Sequence, residues 1–310
     1  YASMQRDSKP FEALEQLEKG LFLRKELYGP DHPEVGKVCQ VFTTSCNTLA
    51  MNSLQRDNHL LAYELLKKAE ILTSPSGYIF DKKMRLKLRA VTFNNFGCFY
   101  KRRGKLHAAL QYLAKALKIE LTSEEVDNPA GTHLNLCATL SQLGRHGPAL
   151  EHAQCAIELL EAMAETREQQ GVTEGASGAT DDGSILAIAW HNLAVEQEHL
   201  NMLEAALNSY QQAVNVAERE WGAGHVKTLA IKYSLDEAND KLNQKKNHGG
   251  KGAHTHQSSP LDAVLNPASA SANLQGYRQS GVANNKKLLA SPLKPNKGKT
   301  GGATIRAYTQ

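Results

Sequence analysis

Residues 93–116 read Phe93-Asn94-Asn95-Phe96-Gly97-Cys98-Phe99-Tyr100-Lys101-Arg102-Arg103-Gly104-Lys105-Leu106-His107-Ala108-Ala109-Leu110-Gln111-Tyr112-Leu113-Ala114-Lys115-Ala116. Small residues at 97 and 109 let two helices approach closely, and Gly104 supplies the turn between them. Phe96, Leu113 and Ala116 then fill the seam of the hairpin. The same frame returns at Leu49, Ala50, Asp57, Ala62, Leu66 and Ala69. It returns again at Leu136, Cys137, Gly144, Ala149, Ala153 and Ala156, and at Trp190, Leu193, Ala194, Asn201, Ala206, Tyr210 and Ala213. Ala13, Leu17 and Gly20 give an N-terminal half-unit that matches a second helix alone. Four registers of one pattern predict stacked helical hairpins.

This pattern resembles the tetratricopeptide repeat (TPR). The resemblance implies an all-α fold, an α-solenoid in which hairpins stack into a right-handed superhelix, and a protein-binding surface rather than a catalyst. The equivalent alanines 13, 62, 109, 149 and 206 lie 49, 47, 40 and 57 residues apart. Each spacing exceeds the roughly 34 residues of the plain repeat, so longer helices and loops take up the difference. The connector Glu26-Leu27-Tyr28-Gly29-Pro30-Asp31-His32-Pro33-Glu34-Val35 resembles that of kinesin light chains and nephrocystin-3-like proteins. So does Asn94-Asn95 with Tyr100-Lys101-Arg102-Arg103-Gly104-Lys105, and a degraded connector returns at Trp221-Gly222-Ala223-Gly224-His225-Val226. The stretches Ile71–Leu88 and Thr166–Ser184 break the light-chain spacing. The heptads that attach a light chain to its motor are not in this sequence, so binding to a kinesin heavy chain is not implied.

Helices are predicted near 11–27, 35–56, 59–73, 81–102, 106–121, 129–143, 147–169, 184–200, 203–220 and 226–246. The repeat domain, 1–246, then holds a half-repeat at 11–27, repeats at 43–73, 90–121, 130–169 and 187–220, and a capping helix at 226–246. Lys232, Asp236, Asn239, Asp240 and Lys241 suit a solubilising end to an open stack. The run from Gly171 to Gly183 reads as a mobile loop, and residues 247–310 as a disordered basic tail. That tail carries eight Lys or Arg against one acid, while the rest has 28 basic and 31 acidic side chains. The net charge of +4 thus hides a mildly acidic body.

The hydrophobic content is 41% and the aromatic content 6%, suiting helices packed by Leu and Ala rather than one thick core. Five cysteines, Cys39, Cys46, Cys98, Cys137 and Cys155, form no Cys-x-x-Cys pair, so a disulfide framework or metal site is not expected. No cofactor is expected. Apolar runs fall short of a membrane span and no signal-peptide pattern appears, which predicts a cytoplasmic chain. It opens Tyr1-Ala2-Ser3 without methionine, as a fragment or processed form would.

Stacked hairpins expose the inner face of each first helix as a groove. In this frame the groove positions are Asn47, Asn94, Cys98, Lys101, Arg102, His191 and His199, and the adjacent register adds Asn95, Asn135 and Asn192. An Asn amide both donates to and accepts from a peptide backbone. Light-chain-like repeats use asparagines this way, which the resemblance carries onto Asn94, Asn95, Asn135 and Asn192. Lys101, Arg102 and Arg103 would complement acidic peptide residues. The alternative is that Asn95, Asn135 and Asn192 cap or bridge helices inside the stack, and that Lys101–Arg103 is a solvated surface. The partners implied are proteins presenting linear acidic segments, within microtubule-associated, cytoskeletal or ciliary complexes. A structural component using its convex face and tail is the second reading, and a nucleic-acid-associated protein the third.

Catalytic signals fail. Gly298-Lys299-Thr300 is similar to a phosphate loop, but position 293 is Leu and no strand precedes it. His254 and His256 have no further ligands nearby. The carboxylate clamp of chaperone-binding repeats is missing, since its positions hold Asn47/Met51, Asn94/Cys98, Leu134/Ala138 and His191/Val195. Glu124-Glu125-Val126-Asp127 is followed by Asn128 and has no free carboxylate. Ser291-Pro292 and Ser259-Pro260 fit proline-directed phosphorylation, which would subtract charge from the tail.

Overall fold

A computed structural model describes residues 2–122, 129–169 and 182–248. The predicted loop at 171–183 lies mostly outside these residues, as do the tail from 249, both Ser-Pro sites and Glu124–Asn128. The described residues form ten helices and no strand: α1 (Ala2–Tyr28), α2 (Pro33–Gln55), α3 (His59–Leu72), α4 (Lys82–Arg102), α5 (Leu106–Thr122), α6 (Ala130–Gln142), α7 (His146–Gln169), α8 (Asp182–His199), α9 (Leu203–Trp221) and α10 (Val226–His248). Each packs on the next, and α2, α4, α6 and α8 also touch in series. These first, or A, helices therefore stand side by side in one layer. Helices α3, α5, α7 and α9 are the B helices, and the result is an all-α solenoid of stacked hairpins.

The turns explain why the hairpins repeat so closely. Asp57, Gly104, Gly144 and Asn201 all adopt left-handed backbone, with φ between 59° and 69°. The residue after each donates its N–H to the carbonyl five residues back: Asn58 to Ser53, Lys105 to Tyr100, Arg145 to Leu140 and Met202 to Gln197. This closure satisfies carbonyls that the helix end would leave bare. Glycine adopts such backbone freely, but a β-carbon costs roughly 1–2 kcal/mol there. Asp57 and Asn201 each gain something in return. The Arg102 guanidinium donates to the Asp57 carboxylate at 2.8 Å, and Lys245 Nζ donates to Asn201 Oδ1 at 2.9 Å. The first cation comes from α4 and the second from α10, each the second helix onward from its turn's first helix. An exposed pair of this kind contributes less than about 1 kcal/mol, so Asp57→Gly should change stability by under about 1 kcal/mol. Asp57→Ala keeps the strain and loses the pair, so its urea midpoint should fall clearly below that of the glycine variant.

The hairpin seams are built from small residues. Ala62, Ala109, Ala149 and Ala206 are fully buried, as are Ala50, Gly97 and Ala194 or, in the third hairpin, Cys137. At Gly97 the fit is closest, because a β-carbon there would lie 2.5 Å from Leu113 Cγ and Cδ2. Beside it Phe96, Tyr112 and Tyr100 stack, with centroids 4.7 and 5.3 Å apart. Together these contacts supply directional aromatic packing in an otherwise aliphatic core.

The two connectors work by one device. His32 and His225 each accept, through Nδ1, the N–H two residues ahead, at 3.3 and 3.2 Å. Both therefore cap the helix that follows. A glycine at φ +84° or +87° starts each connector, and Tyr28 or Trp221 lies against the histidine ring. The break expected at Ile71–Leu88 is a longer connector that enters the core, where Ile79 is fully buried. Arg89 makes this tolerable: it donates to the Thr73 and Glu70 carbonyls at 3.0 and 3.4 Å while lying 4.8 Å from the Phe93 ring.

Candidate peptide-binding face

The register that sets the turns also sets the contacts between A helices. Three residues before the small seam position stand Asn47 in α2 and Asn94 in α4. Asn47 Nδ2 donates to Thr92 Oγ1 at 3.0 Å, and Asn47 Oδ1 accepts from Asn95 Nδ2 at 3.1 Å. One seam later Asn94 Oδ1 accepts from Asn135 Nδ2 at 3.0 Å and lies 3.4 Å from Thr132 Oγ1. In both cases a Thr and an Asn three residues apart, on one helix, grip the Asn of the preceding A helix. Nothing apolar could fix the sliding register of two neighbouring helices so specifically.

This placement puts four of the expected groove asparagines between neighbouring helices. Asn47, Asn94, Asn95 and Asn135 are at most 7% exposed, and their amides are spent on neighbouring helices. The Oδ1 atoms of Asn95 and Asn135 meet no donor among the described residues, but they are buried too. These four side chains bridge the stack from within. His191 is likewise enclosed, 3.4 Å from Ser234 of α10 and against Tyr210. Burial pushes its imidazole down to about 4, so it is neutral at ordinary pH. Cys98 and Cys137 are buried, and desolvation raises both thiols.

At the third seam the pattern changes. Leu134 takes the Asn position and Ala189 the Thr position, both fully buried. Asn192, which corresponds to Asn95 and Asn135, stays half-exposed. Lys101 is also half-exposed, and among the described residues it makes no ion pair. Arg103 and Lys105 are exposed beside it, whereas Arg102 is committed to Asp57. Of the eight predicted contacts, the structure therefore leaves Lys101, Arg102 and Asn192 at the surface.

Sequence reasoning missed the partners Thr92 and Thr132, although the Thr-x-x-Asn spacing at 92–95 and 132–135 is a visible signal. It also missed Glu196, which is 2% exposed and bonded to His146 Nδ1 at 2.7 Å. The His146 ring stacks on His199 at 4.0 Å and 12°. Parallel rings direct their lone pairs into separate planes, so the two cannot converge on one metal. No group of three or more metal-ligating side chains among the described residues could hold an ion. On α10, Asp236, Asn239 and Asp240 are exposed, while Lys232 pairs with Glu218 and Lys241 with Glu198 and Glu237. No described helix is long and apolar enough to cross a membrane.

Comparison with known families agrees with this geometry. One tetratricopeptide-repeat model matches residues 4–34 and 89–120, and another matches 187–220. The first of these matches spans α1 with its connector, and the second and third each span a complete hairpin. Among solved structures, the crystal structure of BtubC (BKLC) from P. vanneervenii is similar, with a TM-score of 0.51 at 15% identity. The alignment covers 82% of this chain and 98% of that one. No curated protein matches the chain.

Proposed function

We propose that this chain, a tetratricopeptide-repeat protein, is a non-enzymatic scaffold that holds extended acidic peptide segments along the layer of its A helices. The observation that carries the reading is Lys101, a half-exposed cation without an ion pair among the described residues, next to exposed Arg103 and Lys105. A peptide carboxylate beside this cluster gains attraction without displacing an existing partner of Lys101. On this reading the buried amides hold the A helices in register, and Lys101, Arg103 and Asn192 meet the ligand. The finer placement, in a cytoskeletal or ciliary assembly, is supported by the likeness of the Tyr28–Val35 connector to those of kinesin light chains.

Titrating the full chain against Glu- and Asp-rich peptides, followed by fluorescence anisotropy, tests the charge part. Lys101→Glu should weaken binding on the order of tenfold, since an attractive contact becomes a repulsive one. The weakening should shrink as salt is added. Equal affinities for the two proteins would remove Lys101 from the site.

A further inference from the structure

A separate hydrogen-bonded chain begins at the end of α5. Glu120 Oε1 lies 3.0 Å from Thr132 Oγ1 on α6. That same hydroxyl lies 3.4 Å from Asn94 Oδ1 on α4, which also accepts from Asn135 Nδ2. A threonine hydroxyl carries one proton and cannot donate to two acceptors at once. An ionised Glu120 would claim that proton and leave Asn94 without it. A neutral Glu120 instead donates its own proton to Thr132 Oγ1, and Thr132 then donates to Asn94. Only the neutral acid lets both contacts of Thr132 Oγ1 be hydrogen bonds at once. The other carboxyl oxygen, Oε2, is buried and meets no donor among the described residues, which also suits the uncharged acid.

The surrounding charges do not offset this. Burial raises the Glu120 carboxyl to about 7, and only the Thr132 hydrogen bond opposes the rise. Arg89 on α4 is held by the Thr73 and Glu70 carbonyls, and Lys115 on α5 lies over Tyr112. Lys118, also on α5, is exposed. On α6, His133 is pushed down to about 4 by burial, and His152 of α7, which it faces, is also lowered by burial. Glu124, Glu125 and Asp127 lie outside the described residues.

We propose that Glu120 is a proton-controlled latch: as the neutral acid it ties the end of α5 through α6 to α4, and on ionising it releases the junction of α5 and α6. The sign follows from linkage. A carboxyl held above its unfolded value of about 4.3 gives stability that is complete below that pH and is lost as pH rises through about 7.

Carboxyl-carbon NMR on the full chain reads the titration of Glu120 directly, and hydrogen exchange at 117–122 and 130–135 reads the junction. Glu120 should titrate far above other surface glutamates. Opening at the junction, corrected for intrinsic exchange, should rise on the order of tenfold from pH 5.5 to 8. Glu120→Gln, whose amide donates to Thr132 at any pH, should remove that rise. An ordinary glutamate titration, or an equal rise in Glu120→Gln, would overturn the latch. Should the variant fail to fold, the carboxyl titration of the unaltered protein decides alone.

Discussion

Gly97→Val should lower the stability of the second complete hairpin by about 2–4 kcal/mol, among the largest effects expected of any single substitution here. The β-carbon alone would meet Leu113 Cγ and Cδ2 at 2.5 Å, well inside contact distance. Leu113 is fully buried, so moving it disturbs the packed seam around it. Valine adds two methyl groups in a rotamer that helical backbone restricts. Its better helix propensity over glycine returns only a few tenths of a kcal/mol. Gly97→Ala should cost less, because the first complete hairpin has Ala50 and Leu66 at the matching positions, both fully buried. Urea denaturation, with hydrogen exchange in α4 and α5 to localise the loss, measures the difference. A valine variant as stable as the parent would mean that the close approach of these helices is not what glycine is there for.

The second large effect concerns the seams between A helices. Asn94→Ala removes the acceptor for Asn135 Nδ2 and the neighbour of Thr132 Oγ1, both in buried surroundings. Each polar group so orphaned costs about 1–3 kcal/mol, so a loss of about 2–4 kcal/mol is expected. Asn135→Ala takes away one donor and should cost less. The two changes share one interaction, so a double-mutant cycle should give a coupling of about 1 kcal/mol or more. Additive losses would show that the amides do not act on one another. The third seam shows that an apolar solution exists, with Leu134 facing the region of Ala189. Asn94→Leu combined with Thr132→Ala and Asn135→Ala should therefore recover part of the lost stability. What it should not recover is the fixed register, since a Leu can slide where an Asn between two partners cannot.

The hairpin stack was readable because its causes are local. Alanine and glycine at fixed spacing, a turn residue seven positions after each small seam residue, and Tyr-Gly-Pro-Asp-His before α2 all act within a few residues of themselves. Asp57 and Asn201 were readable as turns, but not as acceptors for Arg102 and Lys245, about 45 positions away. Their partners depend on how one hairpin sits on the next. The same limit explains the amides. An asparagine at a groove-register position can face a ligand or the adjoining A helix, and its own helix does not distinguish the two. What decides is the residue on the following A helix. Thr92 with Asn95, and Thr132 with Asn135, draw Asn47 and Asn94 inward, whereas Asn192 follows Leu134 and stays half-exposed. Glu120 was unreadable for a related reason. Nothing in Lys118-Ile119-Glu120-Leu121 distinguishes a partly buried acid from a surface one, and its hydrogen-bond partner comes from α6.

The A-helix layer thus has an inner set of amides that bridge neighbouring helices and an outer set of polar residues at the surface, which the proposed function assigns to the ligand. Backbone chemical-shift mapping of the full chain, titrated with an extended acidic peptide, tests that division most directly. Saturable shifts centred on Lys101, Arg103 and Asn192, with Asn47, Asn95 and Asn135 little changed, are the expected result. Shifts centred on the buried amides, on the B helices alone, or on no part of the repeat stack would contradict it.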